Sequence, residues 1–181
     1  KGLVDLLAAI RTHHNYTYRH SMMVCGYLTS FCMLLGIQGE ELQRLSIAGL
    51  LHDIGKARVP PELLDKPGAL NEEEWVIMRQ HPEHSRQILK NSDVHEDVRD
   101  GATHHHEKMD GTGYPDGLTG AQISDFARMV AIADVFSGLT EKRAYKSSMS
   151  DEKAYEIMCS MTTHLDQDLV RVFEPVALNM A

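Results

Sequence analysis

The 181-residue sequence predicts an all-α helical bundle. Three observations point there. Apolar residues recur at helical spacing almost throughout, while strand patterns are nearly absent. Gly and Pro gather into two long loops between the helical stretches. The chain also carries 11 histidines, and most of them fall where helical patterns end.

Taken in order, Leu3, Leu6, Leu7 and Ile10 form a first apolar stripe. Residues 16–35 read as a long helix stopped by Gly36. Residues 40–54 follow, ending near Gly55. Residues 58–70 carry Pro60, Pro61, Pro67 and Gly68, which predicts a loop with at most one helical turn. Asn71 with Glu74 makes a capping box for a helix to about residue 80. Pro82 sits at a first helical position, before a helix over 83–89. Residues 94–104 are helical, and 105–122 are a Gly- and Asp-rich loop. Residues 125–139 are a strongly apolar helix, Ser150 caps one running to about 161, and the last spans 168–178. No internal repeat or low-complexity segment breaks the pattern, so residues 1–181 read as a single domain. Its first residue is Lys1, which suggests a piece of a longer multidomain protein.

Composition narrows the function. A net charge of −8 without a basic stretch argues against a duplex nucleic-acid binder. No apolar run is long enough to span a membrane, and no signal peptide is visible. Cys25, Cys32 and Cys159 form neither a disulfide framework nor a zinc knuckle, so they read as core thiols in a reducing, cytoplasmic compartment.

The chemistry gathers at His52 and Asp53, which close an apolar run and are therefore drawn inward. A buried carboxylate needs a compensating charge, and a divalent metal is the compensator to which imidazole and carboxylate are both suited. Asp134, inside the apolar run 130–136, has no cation close in sequence. His20, His81, His105 and His106 complete a set of seven candidate ligands. Seven side chains exceed what one ion can use, so the set suits two metals bridged by a carboxylate. Asp53 is the candidate bridge. His13, His14, His84, His95, His104 and His164 read as ordinary histidines.

These residues resemble a known family. His52-Asp53-Ile54-Gly55-Lys56, followed by residues 105–115 (His-His-Glu-Lys-Met-Asp-Gly-Thr-Gly-Tyr-Pro), look like the HD-GYP branch of the HD phosphohydrolase superfamily. The resemblance covers His20 to about Lys146. It implies an HD-domain-like bundle around a buried metal centre. It also implies a cyclic di-GMP phosphodiesterase, yielding linear pGpG and in some members GMP. His20, His52, Asp53, His81, His105, His106 and Asp134 match the family's metal ligands, Lys56 its HD-motif lysine, and Arg143 and Lys146 its phosphate-holding basic residues. Two positions depart: Tyr16 stands where some members have a metal-binding Glu, and Ser137 where Asp is frequent. Tyr16 predicts two metals rather than three, since a phenol is a poor ligand at neutral pH. Ser137 bears on substrate contacts or guanine preference.

From the chemistry, two divalent ions would generate a bridging hydroxide at neutral pH. Fe or Mn is favoured, with Ni, Zn and Co also suited to the ligand set. Asp53 and Lys56 are the catalytic pair, Lys56 assisting the departing ribose oxygen. Tyr114, Gly113 and Pro115 are candidate substrate contacts, with Gly111 and Gly113 admitting positive φ and close approach to a ligand. The same loop could instead serve partner proteins; a second copy of the chain and an upstream regulatory domain are further partners to consider. The alternatives to catalysis of this reaction are a cyclic di-GMP or pGpG sensor and an HD hydrolase of another nucleotide.

Overall fold

The computed structural model describes residues 2, 4–6, 8, 11, 15–141 and 149–179. From residue 15 on, the described residues form nine α-helices. They are α1 (Asn15–Leu34), α2 (Gly39–Leu51), α3 (Pro61–Leu64), α4 (Glu72–Met78), α5 (His81–Lys90), α6 (Glu96–His104), α7 (Asp125–Thr140), α8 (Asp151–Ser160) and α9 (Gln167–Ala177). Short 3₁₀ turns occupy Ile54–Arg58 and Gly120–Gln122. Among the described residues the sole β pairing is a single bridge between Asp110 and Thr119.

The ends follow from local chemistry. Asn71 accepts from the Glu74 amide while the Glu74 carboxylate accepts from the Asn71 amide, a complete capping box. Ser124, Ser150 and Asp166 cap α7, α8 and α9 through their side-chain oxygens. Gly36, at φ 72°, lets the chain leave α1 in a conformation other residues resist. The stretch 58–70 does carry a single turn, α3. Of the first predicted stripe, Leu6 is described and buried; Leu3, Leu7 and Ile10, like His13 and His14, lie outside the described residues.

α7 is the central post. It touches α1, α2, α6, α8 and α9, and buries Ala127, Met129, Val130, Ala131, Ile132, Ala133 and Phe136. A helix apolar on most sides must be enclosed, which its sequence announces. Tyr27, Phe136, Phe31 and Phe173 pack edge to face, with ring centroids 5.1–6.4 Å apart. Leu28 and Cys32 join this core, whereas Cys25 is half-buried and Cys159 is exposed, so the thiols are not all core residues.

One expected boundary moves in a way that matters. The second predicted helix runs through Ile54, but α2 stops at Leu51, and His52 and Asp53 form a turn before the 3₁₀ segment. Gly55 explains the break. A Cβ there would lie 1.9 Å from the His81 carbonyl oxygen and 2.6 Å from the Ser85 nitrogen. The Gly55 amide donates to Ser85 Oγ (2.9 Å), and Ser85 Oγ donates to the His52 carbonyl (3.2 Å). The chain thus turns so that α5 can press against the backbone beside His52.

Gly55→Ala is expected to force that contact apart at a cost of about 3 kcal/mol. For a domain of this size the midpoint of thermal unfolding should fall by about 10 °C. A melting curve followed by circular dichroism checks this; an unchanged midpoint would remove the packing argument.

Candidate metal centre

Five segments deliver the site. His20 lies inside α1, His52 and Asp53 in the turn after α2, and His81 is the first residue of α5. His105 and His106 follow α6, and Asp134 projects from α7. Three overlapping groups have ligand atoms within 4.8 Å of one another: His20, His52, Asp134; His52, Asp53, His105; and His81, His105, His106. Their union is the seven residues singled out in the sequence.

The backbone aims most of the rings. His52 Nδ1 donates to the Gly49 carbonyl (2.7 Å), His81 Nδ1 to Met78 (2.8 Å) and His105 Nδ1 to Ala102 (2.9 Å). Each partner stands three residues earlier, at a carbonyl that a helix or turn end leaves free. A carbonyl can only accept, so these Nδ1 atoms carry protons and each Nε2 turns to the centre. His106 is instead stacked on Tyr114, with centroids 4.9 Å apart.

Asp53 sits between the groups. Its Oδ1 is 3.3 Å from His81 Nε2 and 4.0 Å from His105 Nε2. Its Oδ2 is 3.4 Å from His52 Nε2 and 2.5 Å from Lys56 Nζ. Asp134 Oδ1 is 2.8 Å from His20 Nε2 and 3.7 Å from His52 Nε2. Burial would push the Asp53 carboxyl up, yet Lys56 and His52 outweigh it and hold the group well below the usual carboxylate range. For Asp134 burial is likewise overcome, by the hydrogen bond from His20 and the charge of nearby His52. Burial and neighbouring imidazoles hold His105 well below its ordinary value and take His106 down to about 3. His20 and His52 go the other way, because their carboxylate partners overcome burial.

These residues fit a metal, and the unpartnered atoms show it. His52 Nε2, Asp53 Oδ1, His81 Nε2 and His105 Nε2 are buried without a hydrogen bond. Each such atom costs about 1–3 kcal/mol. Four converging on one spot, two ionised carboxylates and two imidazoles held neutral form a donor set ready for a cation.

Above them opens a cavity of about 610 Å³, within the roughly 300–1,000 Å³ of small-ligand sites. His20, Lys56, His81, His106 and Asp134 line it alongside Tyr16, Trp75, Tyr114 and residues 63–66 and 68–70. The Arg79 guanidinium lies 5.8 Å from the Trp75 ring and 5.9 Å from Tyr114. Burial pushes the Tyr114 phenol up, leaving its hydroxyl a donor at neutral pH.

Several expectations change. That for Arg143 and Lys146 does not, since both lie outside the described residues. Ser137 is fully buried with Oγ 3.1 Å from His20 Nδ1, so it meets a candidate ligand rather than the cavity. Gly111 has the expected positive φ, 79°, but Gly113 does not. A Cβ on Gly113 would lie 2.4 Å from the Lys108 nitrogen, so its approach is to the chain itself, not to a ligand. Pro115, after a cis peptide, does not line the cavity. Lys56 belongs to the 3₁₀ turn Ile54–Arg58.

Two carboxylates escaped the sequence reading. Glu107 is buried, and its oxygens accept from the amides of Asp116 (2.7 Å), Gly117 (3.1 Å) and Leu118 (2.9 Å). It folds the loop around itself. Its place directly after His105-His106, ahead of a Gly-rich run, is the signal in the sequence that points to it. Glu141 accepts from His20 Nδ1 (2.8 Å) and from the Tyr16 hydroxyl (3.1 Å). Nothing in the spacing announces that contact.

The HD domain family model matches residues 4–169. A cyclic di-GMP phosphodiesterase of Pseudomonas aeruginosa is 39% identical over 92% of this chain and 41% of its own length. The 3′3′-cGAMP-specific phosphodiesterase 1 of Vibrio cholerae is 42% identical over 79% of this chain and 33% of its own. The chain thus spans about two-fifths or less of these curated relatives. Among solved structures, the HD domain of the L. monocytogenes phosphodiesterase PgpH, in complex with cyclic-di-AMP, superposes with TM-score 0.74 at 16% identity, covering 97% of this chain and 94% of that one. At that identity the likeness concerns the fold.

The raised values at His20 and His52 mean that metal uptake must displace protons there. Affinity should therefore rise with pH, by up to about tenfold per unit for each proton displaced. Calorimetric titration with Mn²⁺ in buffers of differing ionisation enthalpy should show net proton release; a pH-independent affinity would contradict the shared use of these nitrogens.

Proposed function

This chain belongs to the HD domain family, with the HD-GYP signature in residues 105–115, and from that premise we propose that it hydrolyses a cyclic dinucleotide, cyclic di-GMP first, to the linear form. The observation that carries the proposal is the set of four buried, unpartnered ligand atoms beside a cavity of nucleotide-accepting size. The names of the relatives support the substrate class.

We assign two divalent ions, with Fe or Mn favoured. His20, His52 and Asp134 would hold one, and His81, His105 and His106 the other, with an Asp53 oxygen facing each half. When bound, the ions supply Lewis acidity toward phosphoryl oxygens and a water of lowered pKa. The protein does the remainder. The rings hold their tautomers through backbone carbonyls, so no reorganisation is needed when substrate arrives. Lys56 neutralises Asp53 and keeps its ammonium at the cavity wall, where it can donate to the ribose 3′ oxygen as the P–O bond breaks. Trp75 and Tyr114 bring aromatic rings to the cavity lining, the side-chain type that stacks on purines, and Tyr114 adds a hydroxyl donor.

Incubation of the Mn²⁺- or Fe²⁺-loaded protein with cyclic di-GMP, 3′3′-cGAMP and cyclic di-AMP, resolved by chromatography, tests this. Linear pGpG is expected, and chelation should abolish it. Lys56→Ala should lower kcat by about 10²–10³-fold while leaving metal content intact. Tight nucleotide binding without turnover would favour a sensor instead, and cleavage confined to another dinucleotide would reassign the substrate.

A further inference from the structure

We infer that Glu141 is a positioning residue of the metal centre: its carboxylate holds the Nδ1 proton of His20 and thereby presents Nε2 beside Asp134. This rests on the reading of His20 as a metal ligand. The geometry separates His20 from the other histidines. His52, His81 and His105 take their orientation from carbonyls at helix or turn ends. His20 lies inside α1, in its second turn, where the preceding carbonyls serve the helix itself. It needs an acceptor from elsewhere, and Glu141, directly after α7, provides one at 2.8 Å.

The surroundings are built for that contact. The Glu141 side chain is 16% exposed and that of His20 4%. Tyr16, one turn before His20 on the same helix, donates its hydroxyl to the same Glu141 oxygen (3.1 Å) and stacks parallel to the His20 ring, at 10° between planes. Ser137, one turn before Glu141 on α7, places its hydroxyl 3.1 Å from Nδ1. Glu141, four residues on, thus reaches back to the nitrogen that Ser137 meets with a neutral group alone. A carboxylate behind a ligating imidazole fixes its tautomer and strengthens it as a donor. Tyr16 is accordingly no failed ligand: it anchors the carboxylate that aims His20.

Wild type, Glu141→Gln, Glu141→Ala and His20→Ala are compared in two measurements: Zn²⁺ affinity and stoichiometry by chelator competition, and the His20 ring tautomer by long-range ¹H–¹⁵N NMR of the Zn²⁺-loaded protein. Glu141→Ala should weaken one ion by roughly tenfold to a hundredfold and leave the other unchanged. Glu141→Gln keeps an acceptor without the charge, so it should keep the tautomer and lose part of the affinity; it also carries the test should the Ala variant not fold. A purely structural glutamate would lower the melting point of both variants with Zn²⁺ affinity and tautomer as in wild type, and that result overturns the inference. Wild type without Zn²⁺ uptake, or His20→Ala with unaltered uptake, would instead overturn the metal-centre reading beneath it.

Discussion

Two carboxylates at the centre of a helical bundle, Asp53 buried and Asp134 half-buried against the cavity, set the terms for everything near them. Asp53 and Asp134 are ionised in spite of burial because imidazoles and the Lys56 ammonium surround them. The metal-free balance is held by protons on His20 and His52. A cation would take the place of those protons, and the atoms now without partners are the ones it would satisfy. Charge compensation thus links packing, ligand geometry and reactivity in one small volume.

Helix ends solve the geometric half of the problem. A ligand shell drawn from five segments could be loose, since each side chain brings its own rotamers. Here three imidazoles are locked by carbonyls of their own local turns, so their aim comes from the backbone path. The close approach of Gly55 to His81 and Ser85 fixes the α2 exit against the α5 start, which sets His52 and Asp53 relative to His81. Apolar enclosure of α7 then fixes the depth of Asp134. Precision at the site is inherited from the bundle.

Much of this can be read from the chain. The apolar run around Asp134 announces both an enclosed helix and an orphan carboxylate, and the capping box at Asn71 appears in full. The segments holding the seven histidine and aspartate residues are legible because polar, metal-binding side chains in or beside apolar runs are costly to bury unless a cation gathers them. What stays hidden is contact across distance. The pairing of Glu141 with His20 spans 121 positions, and that of Glu107 with residues 116–118 depends on a loop without periodicity. The exit of α2 at Leu51 is invisible in the sequence because a close approach between backbones leaves no trace in hydrophobic spacing. Gly113 invites a ligand by its residue type, whereas its neighbour is its own chain.

The loop that Glu107 gathers has a consequence for how such a cavity can diversify. That carboxylate follows His105-His106 without a spacer, and the Tyr114 amide donates to the His106 carbonyl (3.2 Å). The Tyr114 wall and the donor shell are therefore one covalent and hydrogen-bonded piece, and neither can be redrawn alone. Other lining is different in kind: residues 63–66 and 68–70 and Trp75 carry no donor atom of the seven. One part of the cavity lining is thus bonded to the donor shell and the other holds no donor, so a side chain exchanged in the second alters the shape a substrate meets and leaves the seven ligands in place.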